Sequence, residues 1–401
     1  MFHPEYIAPK KLISNSHILE LFKAIEKHGG CLRFVGGFVR DTIAGYPHTD
    51  IDLVTDMSPS EFSDACYEED IKCVPIGIQF FSLGVIIHDQ FFKVTCLSED
   101  DNFSQEELKK DASKRDLTIN AVYADEKGNV FDYYNGVEDL EKGVIKFIGK
   151  PLNAIKNDPI RIMRFFRFCA MFGKKIDKKS LKCCIENKHL LHDVSQEKIK
   201  EELFKIIMAP YAVRALELVF KYGVLDFMIT PPKNFDRLEK LDRLVTELGL
   251  EKNIIRRIFI LFEPNTKRAN RLANIFRLSK NQKDYLYKLC GANIHLKDFK
   301  DSVSITKIIY TYGKEICRDI FLNLNLDNQN INDIKTALNT LLTINISDFP
   351  LKGKDLLKQG DDKKNIGQHL ETLKQKWFES GCVLSKQDLL DMFSEDFKYI
   401  V

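Results

Sequence analysis

CLRFVGGFVRDTIAGYPHTDIDLVTD, residues 31–56, is the stretch that decides the fold and the chemistry expected of this chain. Gly36 and Gly37 follow an apolar, strand-like run, and glycines at such a turn let backbone N–H groups approach a phosphate closely. Asp50 and Asp52 are spaced i and i+2, so on a strand their carboxylates would share a face and could hold one metal ion. The stretch predicts a metal-dependent site for a nucleoside triphosphate. The alternative is a glycine turn beside a solvated acidic loop.

The composition is that of a globular protein with a substantial core. The 401 residues are 44% hydrophobic and 29% charged, which allows two or three packed units. A net charge of +2 neither indicates nor excludes a nucleic-acid partner, because a local basic face can exist within a balanced total. No stretch reaches the roughly 18 uninterrupted apolar residues of a membrane span, so no membrane association is expected.

The cysteines and histidines bear on compartment and metal chemistry. The ten cysteines contain no CxxC pair, and the N-terminus lacks the basic-then-apolar pattern of a secretory signal. We therefore expect reduced thiols and a cytoplasmic location. The nine histidines show no HxxxH spacing and no clustering with cysteine, so the sequence does not predict a zinc site.

The hydrophobic periodicity changes along the chain. Up to residue 145, strand-like runs alternate with helical segments, whereas helical periodicity dominates beyond residue 152. The predicted strands are Leu32–Val35, Ile51–Thr55, Val74–Ile78, Phe80–Ile87 and Phe91–Leu97. The predicted helices include Ser16–His28, Pro59–Glu69, Asp158–Phe172, Lys179–Asn187, Gln196–Met208, Pro210–Tyr222 and Asn234–Leu248. The pattern predicts an α+β head followed by about 250 residues of helices.

A second polar cluster is KRDLTINA, residues 114–121. Arg115 could neutralise phosphate oxygens through a bidentate contact. Asp116 and Asn120 could form hydrogen bonds with ribose hydroxyls. The alternative interpretation is the start of a helix with surface charges.

A third cluster is NDPIRIMRFFRF, residues 157–168. Asp158 is predicted to cap the helix at its N-terminus, and it shares a helix face with Arg161, three residues later. A carboxylate acceptor beside a guanidinium donor matches the hydrogen-bonding edge of a nucleobase. Arg164 and Arg167 continue the same face. The alternative is a capped amphipathic helix with an exposed arginine stripe.

In this order, the three clusters resemble motifs of class II tRNA nucleotidyltransferases and the related bacterial poly(A) polymerases. GGxVRD followed by DxD resembles the metal motif of that family, KRDLTINA its ribose-selecting motif, and NDPIRIMRFFRF its amino-acid template for the incoming base. The candidate nucleotide-binding residues are Gly36, Gly37, Arg40, Arg115, Asp116, Asn120, Asp158, Arg161, Arg164 and Arg167. The candidate catalytic and metal-binding residues are Asp50 and Asp52.

The resemblance implies a fold, substrates and a metal. It implies a DNA-polymerase-β-like nucleotidyltransferase head followed by an all-α neck, body and tail. The expected bounds are 1–145 for the head, 146–208 for the neck with its template helix, 209–300 for the body and 301–401 for an RNA-binding tail. It also implies Mg²⁺ held by Asp50 and Asp52, CTP and ATP as substrates, and the tRNA acceptor arm as partner. No obligate protein partner is expected.

Two departures from the family pattern leave other functions open. The family usually has a carboxylate in a strand motif written FExT, and this chain has Lys93 there. The loop 97–111 is short and acidic. The leading interpretation is addition of CCA, or part of it, to tRNA 3′ ends without a nucleic-acid template. The alternatives are a poly(A) polymerase, a CC-adding tRNA nucleotidyltransferase suggested by the short loop, and a catalytically weakened RNA-binding protein suggested by Lys93.

Overall fold

The structure is a computed structural model. The described residues are 7, 16–47, 50–77, 81–97 and 105–397. The chain divides into two units, Met1–Phe227 and Met228–Val401. The predicted head and neck, with the beginning of the predicted body, fall in the first unit. Within the described ranges, no helix has both the length and the apolar character needed to cross a bilayer.

A seven-stranded mixed sheet lies at the centre of the first unit. Its strands are β1 Leu32–Val35, β2 Asp52–Thr55, β3 Lys72–Gly77, β4 Ser82–Ile87, β5 Gln90–Cys96, β6 Val122–Ala124 and β7 Val130–Asp132. The strand order is β3-β4-β5-β2-β1-β6-β7. Strands β2 and β5 are parallel, and the other neighbouring pairs are antiparallel. The mixed sheet, with a helical remainder, confirms the α+β class.

Helices pack on this sheet through the apolar faces that their periodicity predicts. They are α1 Ser16–Lys27, α2 Gly37–Ala44, α3 Pro59–Glu68, α4 Gln105–Lys114 and α5 Gly136–Lys142. From α1, Ile18, Leu21 and Ile25 are fully buried in the core of the head. A capping box begins α3, in which the Ser58 hydroxyl accepts from the Glu61 N–H and the Glu61 carboxylate accepts from the Ser58 N–H.

The rest of the first unit is mainly helical. It contains β8 Val144–Ile145, α6 Pro151–Asn157, α7 Arg161–Phe172, β9 Lys175–Ile176, α8 Lys178–Glu186, α9 Gln196–Met208 and α10 Ala212–Lys221. The predicted bounds of α9 match the structure, and those of α8 and α10 differ by one or two residues at each end. The two-residue strands β8 and β9 pair in parallel and are too short for a period-two pattern to be recognised.

The start of α7 corrects one prediction. Asp158 does not cap this helix, because it ends the preceding helix α6 and its carbonyl accepts from the Arg161 N–H at 3.1 Å. Pro159 lies in the turn between the two helices. Its ring removes a backbone donor and disfavours helical geometry in the residue before it, so the chain bends here and α7 begins only at Arg161.

The second unit is helical where it is described. Its helices are α11 Asp236–Glu247, α12 Ile254–Phe262, α13 Thr266–Ile275, α14 Lys280–Gly291, α15 Ser302–Tyr312, α16 Lys314–Leu324, α17 Ile331–Thr343, α18 Gly353–Lys358, α19 Ile366–Glu379 and α20 Lys386–Phe397. A buried ion pair between Arg256 and Asp319, 2.8 Å long, joins α12 to α16. The Tyr285 hydroxyl donates to the other Asp319 oxygen, so the buried carboxylate is fully compensated.

Candidate active site

One cleft in the first unit is lined by every residue that the sequence singles out for nucleotide or metal binding. Its volume is about 670 Å³. The predicted residues in its walls are Gly36, Gly37, Arg40, Asp50, Asp52, Arg115, Asp116, Asn120, Asp158, Arg161, Arg164 and Arg167. The remaining lining residues are Phe38, Asp41, Pro47, Asp111, Lys114, Phe168 and Lys205. The three sequence clusters are therefore brought together in one place.

The glycine turn joins β1 to α2 at the wall of the cleft. Gly36 has φ 70° and ψ −124°, a combination that is strongly disfavoured for residues with a Cβ atom. A Cβ atom on Gly36 would also lie 3.2 Å from Arg115 Nη1. Helix α2 begins at Gly37, so its first backbone N–H groups have no partner within the helix and carry partial positive charge. At this turn a ligand can approach the backbone closely, and the N-terminus of α2 attracts an anion.

Gly36→Ala is expected to lower the free energy of unfolding by about 1–3 kcal/mol, because alanine strains the backbone at positive φ and crowds Arg115. Urea unfolding of the variant and the parent measures the change. Gly37→Ala is the matched control, since its Cβ would lie 3.6 Å from Arg40 Nη2, an ordinary contact, and its φ is not positive. Equal destabilisation by both substitutions would contradict the role of the Gly36 backbone.

The two candidate metal ligands lie at the beginning of β2. The strand begins at Asp52, and Asp50 precedes it, so the alternation of side chains along a strand does not by itself place the two carboxylates on one face. The segment before the strand instead brings Asp50 into the same cleft. Among the described residues, neither carboxylate has a hydrogen-bond or ion-pair partner. Two carboxylates without internal cations are the hard oxygen ligands that a divalent ion such as Mg²⁺ takes alongside substrate phosphates. The residues present therefore fit such an ion.

Lys93 lies directly beside this pair. It is the register partner of Asp52 on the adjacent strand β5, and register partners carry their side chains on the same face of a sheet. Lys93 is exposed, and in the described part of the chain it forms no ion pair with Asp52. The structure thus places a lysine, and not a carboxylate residue, at the position on β5 that pairs with Asp52.

A buried hydrogen-bond network lies behind the glycine turn. The Arg40 guanidinium donates to both oxygens of Asp41 at 2.8 Å and to Asn120 Oδ1 at 2.6 Å. The Asn120 amide donates in turn to Asp116 Oδ1 at 3.0 Å. Arg164 Nε lies 2.7 Å from Asp116 Oδ2. Residues from the glycine motif, KRDLTINA and α7 are joined in one chain of contacts.

The pKa values of this network follow from burial and partners. Asp116 is only 4% exposed. Burial opposes ionisation of its carboxyl group, but Arg164, the Asn120 amide and the Leu117 N–H outweigh it, so its pKa lies below the usual range. Burial lowers the pKa of Arg40, and Asp41 offsets part of that effect. The network therefore holds its charges at neutral pH.

Arg115 has an internal partner as well. Its Nε and Nη2 both lie 2.9 Å from Asp111 Oδ2, and Nε also donates to the Tyr123 hydroxyl at 3.2 Å. Burial alone would lower the pKa of Arg115, but Asp111 and Tyr123 outweigh it and the pKa is raised. The Asp111 carboxylate thus occupies Nε and Nη2, a pair of donors that Arg115 would need for the predicted bidentate contact with a phosphate.

Helix α7 supplies the wall that carries the predicted base-reading groups. Arg161 Nη2 donates to the Lys114 carbonyl at 2.9 Å, which fixes the guanidinium against the end of α4. Arg167 Nε donates to Glu202 of α9 at 2.6 Å. Asp158 lines the same cleft, and among the described residues its carboxylate has no hydrogen-bond or ion-pair partner. Asp158 and Arg161 can therefore both present polar atoms to a ligand.

Phe168 is the main residue that the sequence did not single out as functional. Its ring lies between two cations, with its centroid 4.8 Å from Arg40 Cζ and 4.0 Å from Arg167 Cζ, a favourable cation–π geometry. A phenylalanine in an amphipathic helix is ordinarily expected to pack in the core, so no sequence signal pointed to this contact. For Asp111 the sequence did contain a signal, because an acidic residue four positions before an arginine is the spacing of an ion pair along a helix.

Comparison with known proteins gives matches over the segments that form this cleft. The Poly A polymerase head domain family matches residues 32–146, the range of the glycine turn, both carboxylates and KRDLTINA. The curated "CCA tRNA nucleotidyltransferase 1, mitochondrial" of Homo sapiens is 27% identical over 394 residues, covering 90% of this chain and 85% of the human protein. The chain is thus similar to tRNA nucleotidyltransferases over nearly its whole length. It is a nucleotidyltransferase with the head-domain fold of that family.

Further matches extend over the helical part of this nucleotidyltransferase. The family described as "Probable RNA and SrmB- binding site of polymerase A" matches residues 173–233. The CCA-adding enzyme of Ligilactobacillus salivarius (strain UCC118) is 24% identical over 393 residues, covering 93% of this chain and 94% of that protein. The crystal structure of the Bacillus stearothermophilus CCA-adding enzyme in complex with CTP superimposes with a TM-score of 0.73 at 20% identity, over 97% of this chain and 99% of that one. The shared fold spans both units.

Proposed function

We propose that this nucleotidyltransferase adds the nucleotides CCA to tRNA 3′ ends, using CTP and ATP and no nucleic-acid template. The observation that carries the proposal is the single cleft in which Asp50 and Asp52, without internal partners, accompany Asp158 and Arg161. A template-independent polymerase requires metal ligands and side chains that recognise the incoming base, and this cleft contains candidates for both. The CCA-adding relatives, matched over nearly the full chain, support this choice of product.

The proposed metal is Mg²⁺, held by Asp50 and Asp52. Nucleotidyltransferases of this family generally use a divalent metal ion, and two carboxylates with substrate phosphates are a ligand set suited to Mg²⁺. When bound, the metal supplies charge neutralisation for the triphosphate and activation of the attacking 3′-hydroxyl. The chain itself contributes the two carboxylates on a strand end whose position is fixed by the sheet.

The triphosphate is proposed to lie against the glycine turn. The absent side chain of Gly36 lets phosphate oxygens approach the backbone, and the N-terminus of α2 offers unpaired N–H groups with partial positive charge. Lys114 and Lys205, which line the cleft, supply further positive charge. Arg40 and Arg115 are proposed to act mainly as fixed charges behind the turn, because carboxylates already occupy their guanidinium groups.

Asp116 and Asn120 are proposed to position arginines and not to contact ribose hydroxyls directly. The Asp116 carboxylate receives the Leu117 N–H and the Asn120 amide on one oxygen and faces Arg164 with the other. Asn120 uses its carbonyl oxygen for Arg40. Arg164, whose side chain is 38% exposed, is therefore the group of this part of the site that is proposed to meet the ligand.

Base selection is assigned to Asp158 and Arg161. Arg161→Ala is expected to reduce the preference between CTP and ATP by about tenfold, since a bidentate contact to a base edge contributes about 1–3 kcal/mol of discrimination. Triphosphate binding should weaken less, because the glycine turn and the lysines remain. Steady-state incorporation of each nucleotide on one tRNA substrate measures both effects.

Arg214→Ala is the matched control for the Arg161 variant. Arg214 also donates to backbone carbonyls, those of Gly173 and Lys174 at 3.1 and 2.9 Å, but it does not line the cleft. Its removal should leave the preference between CTP and ATP unchanged. A parental preference in Arg161→Ala would refute base reading by that side chain.

The helical parts are proposed to hold the tRNA. We assign 146–208 to the neck with the template helix, 209–300 to the body and 301–401 to an RNA-binding tail. Support comes from the RNA-binding family match at 173–233. The tRNA acceptor arm is the proposed partner, and no obligate protein partner is part of the proposal.

We also propose a cytoplasmic location. All ten cysteines are free thiols, which is the state expected in a reducing compartment. Cell fractionation with antibodies against the chain tests this, and recovery in an organelle or outside the cell would contradict it.

The decisive experiment supplies the purified chain and Mg²⁺ with tRNAs that lack all, two or one of the terminal CCA nucleotides. Extension by three nucleotides with CTP and ATP supports CCA addition. A stop after two C residues would instead identify a CC-adding enzyme, and long A-tails on unrelated RNA a poly(A) polymerase. Binding of tRNA without any incorporation would overturn the enzymatic proposal.

A further inference from the structure

A cluster of potential metal ligands lies in the first unit outside the cleft. His17 and Glu20 lie three residues apart on α1 and share one helix face. His88 lies in the two-residue turn that joins β4 to β5. One ligand atom from each of the three residues lies within 4.8 Å of the others. We call this group the His–Glu–His cluster.

The three side chains converge on one point. The Glu20 carboxylate contacts both imidazoles, with Oε2 3.2 Å from His88 Nε2 and Oε1 3.7 Å from His17 Nδ1. The centroids of the two rings are 4.3 Å apart. Small side-chain rotations therefore suffice to direct two nitrogens and one carboxylate oxygen at a shared ion.

The backbone that carries the cluster is held by the core. Ile18 and Leu21 flank the α1 ligands and Ile87 precedes His88, and all three are buried in the same apolar cluster. His88 has φ 46°, in the left-handed region that non-glycine residues seldom adopt. The packed strands thus fix the turn in a conformation that directs His88 toward α1.

The three side chains are partly exposed, although His17 Nδ1 itself is covered in this conformation. The side chains of His17, Glu20 and His88 are 34%, 54% and 58% exposed. An ion can therefore reach them from solvent without any rearrangement of the core. A rigid backbone with ligand side chains that can rotate toward an ion and an entry path from solvent is the arrangement that a metal site on a protein surface requires.

The donor set identifies the kind of ion. Two imidazole nitrogens and one carboxylate oxygen, with a fourth position left for water, form a ligand set found in zinc sites. Mg²⁺ and Ca²⁺ require oxygen ligands almost exclusively, so the cluster differs in preference from Asp50 and Asp52. We propose that the His–Glu–His cluster binds Zn²⁺ and so links α1 to the β4–β5 hairpin.

The proposed ion has a structural effect. It would join a helix to a hairpin whose strand β5 pairs with β2 in the centre of the sheet. None of the three ligands lines the cleft, so the ion stabilises the fold and takes no part in nucleotide transfer. An ion that binds only the folded chain raises its stability by mass action. The melting temperature should therefore rise with the concentration of free zinc.

The test uses the full chain, stripped of metal with a chelator, desalted and titrated with ZnCl₂ in a calorimeter. We expect one zinc ion per chain, bound in the presence of excess Mg²⁺. His17→Gln, Glu20→Gln and His88→Gln should each weaken this binding by at least about tenfold, since even residues that only support metal ligands contribute 10–100-fold to affinity. The zinc-dependent rise in melting temperature should be lost in the same variants.

His28→Gln is the matched control. His28 also meets carboxylates, 3.6 Å from Glu68 and 2.9 Å from Glu69, but Lys27 lies 2.6 Å from the Glu69 carboxylate and provides its counter-charge. This variant should bind zinc as the parent does. Capture by cysteine thiols would persist in every variant and would overturn the proposal. The proposal would also be overturned if the parent bound no zinc, or if any folded ligand variant bound zinc with the affinity of the parent. Circular dichroism without metal shows which variants are folded.

Discussion

Asp52→Asn is expected to reduce nucleotide incorporation by about 10²–10⁴-fold, which corresponds to the several kcal/mol that a bound metal contributes to such a reaction. The amide keeps the size of the side chain but removes the charge that holds a divalent ion. Affinity for tRNA should change little, because that binding is assigned to the helical parts. Primer-extension rates at saturating CTP, together with a filter-binding titration of tRNA, measure the two effects. Asp50→Asn should behave in the same way.

Asp64→Asn is the control for the carboxylate variants. Asp64 is an exposed aspartate of α3 in the same unit and does not line the cleft, so its substitution should leave incorporation unchanged. Full activity in Asp52→Asn would refute the metal role of that residue. Raising the Mg²⁺ concentration provides a further check, since a weakened metal site should regain part of its activity.

Arg40→Met is expected to lower the free energy of unfolding by about 3 kcal/mol. The methionine preserves much of the stem but leaves the Asp41 carboxylate and the Asn120 carbonyl oxygen without their donor, and the loss of one partner from a buried ion pair typically costs about 3–5 kcal/mol. The substitution also removes the cation that stacks on Phe168 and Phe172 of α7. Urea unfolding, monitored by circular dichroism, measures the change.

Two further variants separate the causes of this loss. Arg33→Met is the matched control, because Arg33 also stacks on an aromatic ring, that of Phe131 at 4.7 Å, but has no carboxylate partner among the described residues. It should cost about 1 kcal/mol or less. The double variant Arg40→Met with Asp41→Asn should regain part of the lost stability, since the second change removes the uncompensated charge. A double variant that is less stable than Arg40→Met would contradict the buried-charge explanation.

Much of the fold follows from local patterns in the sequence. The strand-like apolar runs after Cys31 predict strands β1 to β5, and the helical period predicts α9 to the residue. Residues 78, 80 and 98–104, which belong to predicted strands and to the predicted short loop, lie outside the described residues. The loop prediction 97–111 is wrong for residues 105–111, which belong to helix α4. Strands β6 and β7 escape prediction because three residues each are too few to show a period.

Helix α6 and the cap of α7 show where local reasoning fails. The proline at 159 fits both the first turn of a helix and the end of the preceding one. The structure shows the second arrangement: α6 ends at Asn157, and Asp158 lies in the turn between the two helices. Asp158 lines the cleft, whereas its predicted role as the N-terminal cap of α7 is wrong.

The sequence by itself singled out twelve candidate residues, and the structure places them in one cleft together with residues that the sequence did not single out. All twelve candidates line it, because each motif combines residue types whose chemistry is specific to phosphate, metal or base. The tertiary structure alone decided which of those groups remain available. It pairs Arg40, Arg115, Arg164 and Arg167 with carboxylates. Among the described residues it leaves Asp50 and Asp52 without such a partner, and Lys93 pairs with Asp52 across the sheet. Such pairings depend on distances between segments that are far apart in the chain, and spacing along a sequence does not contain those distances.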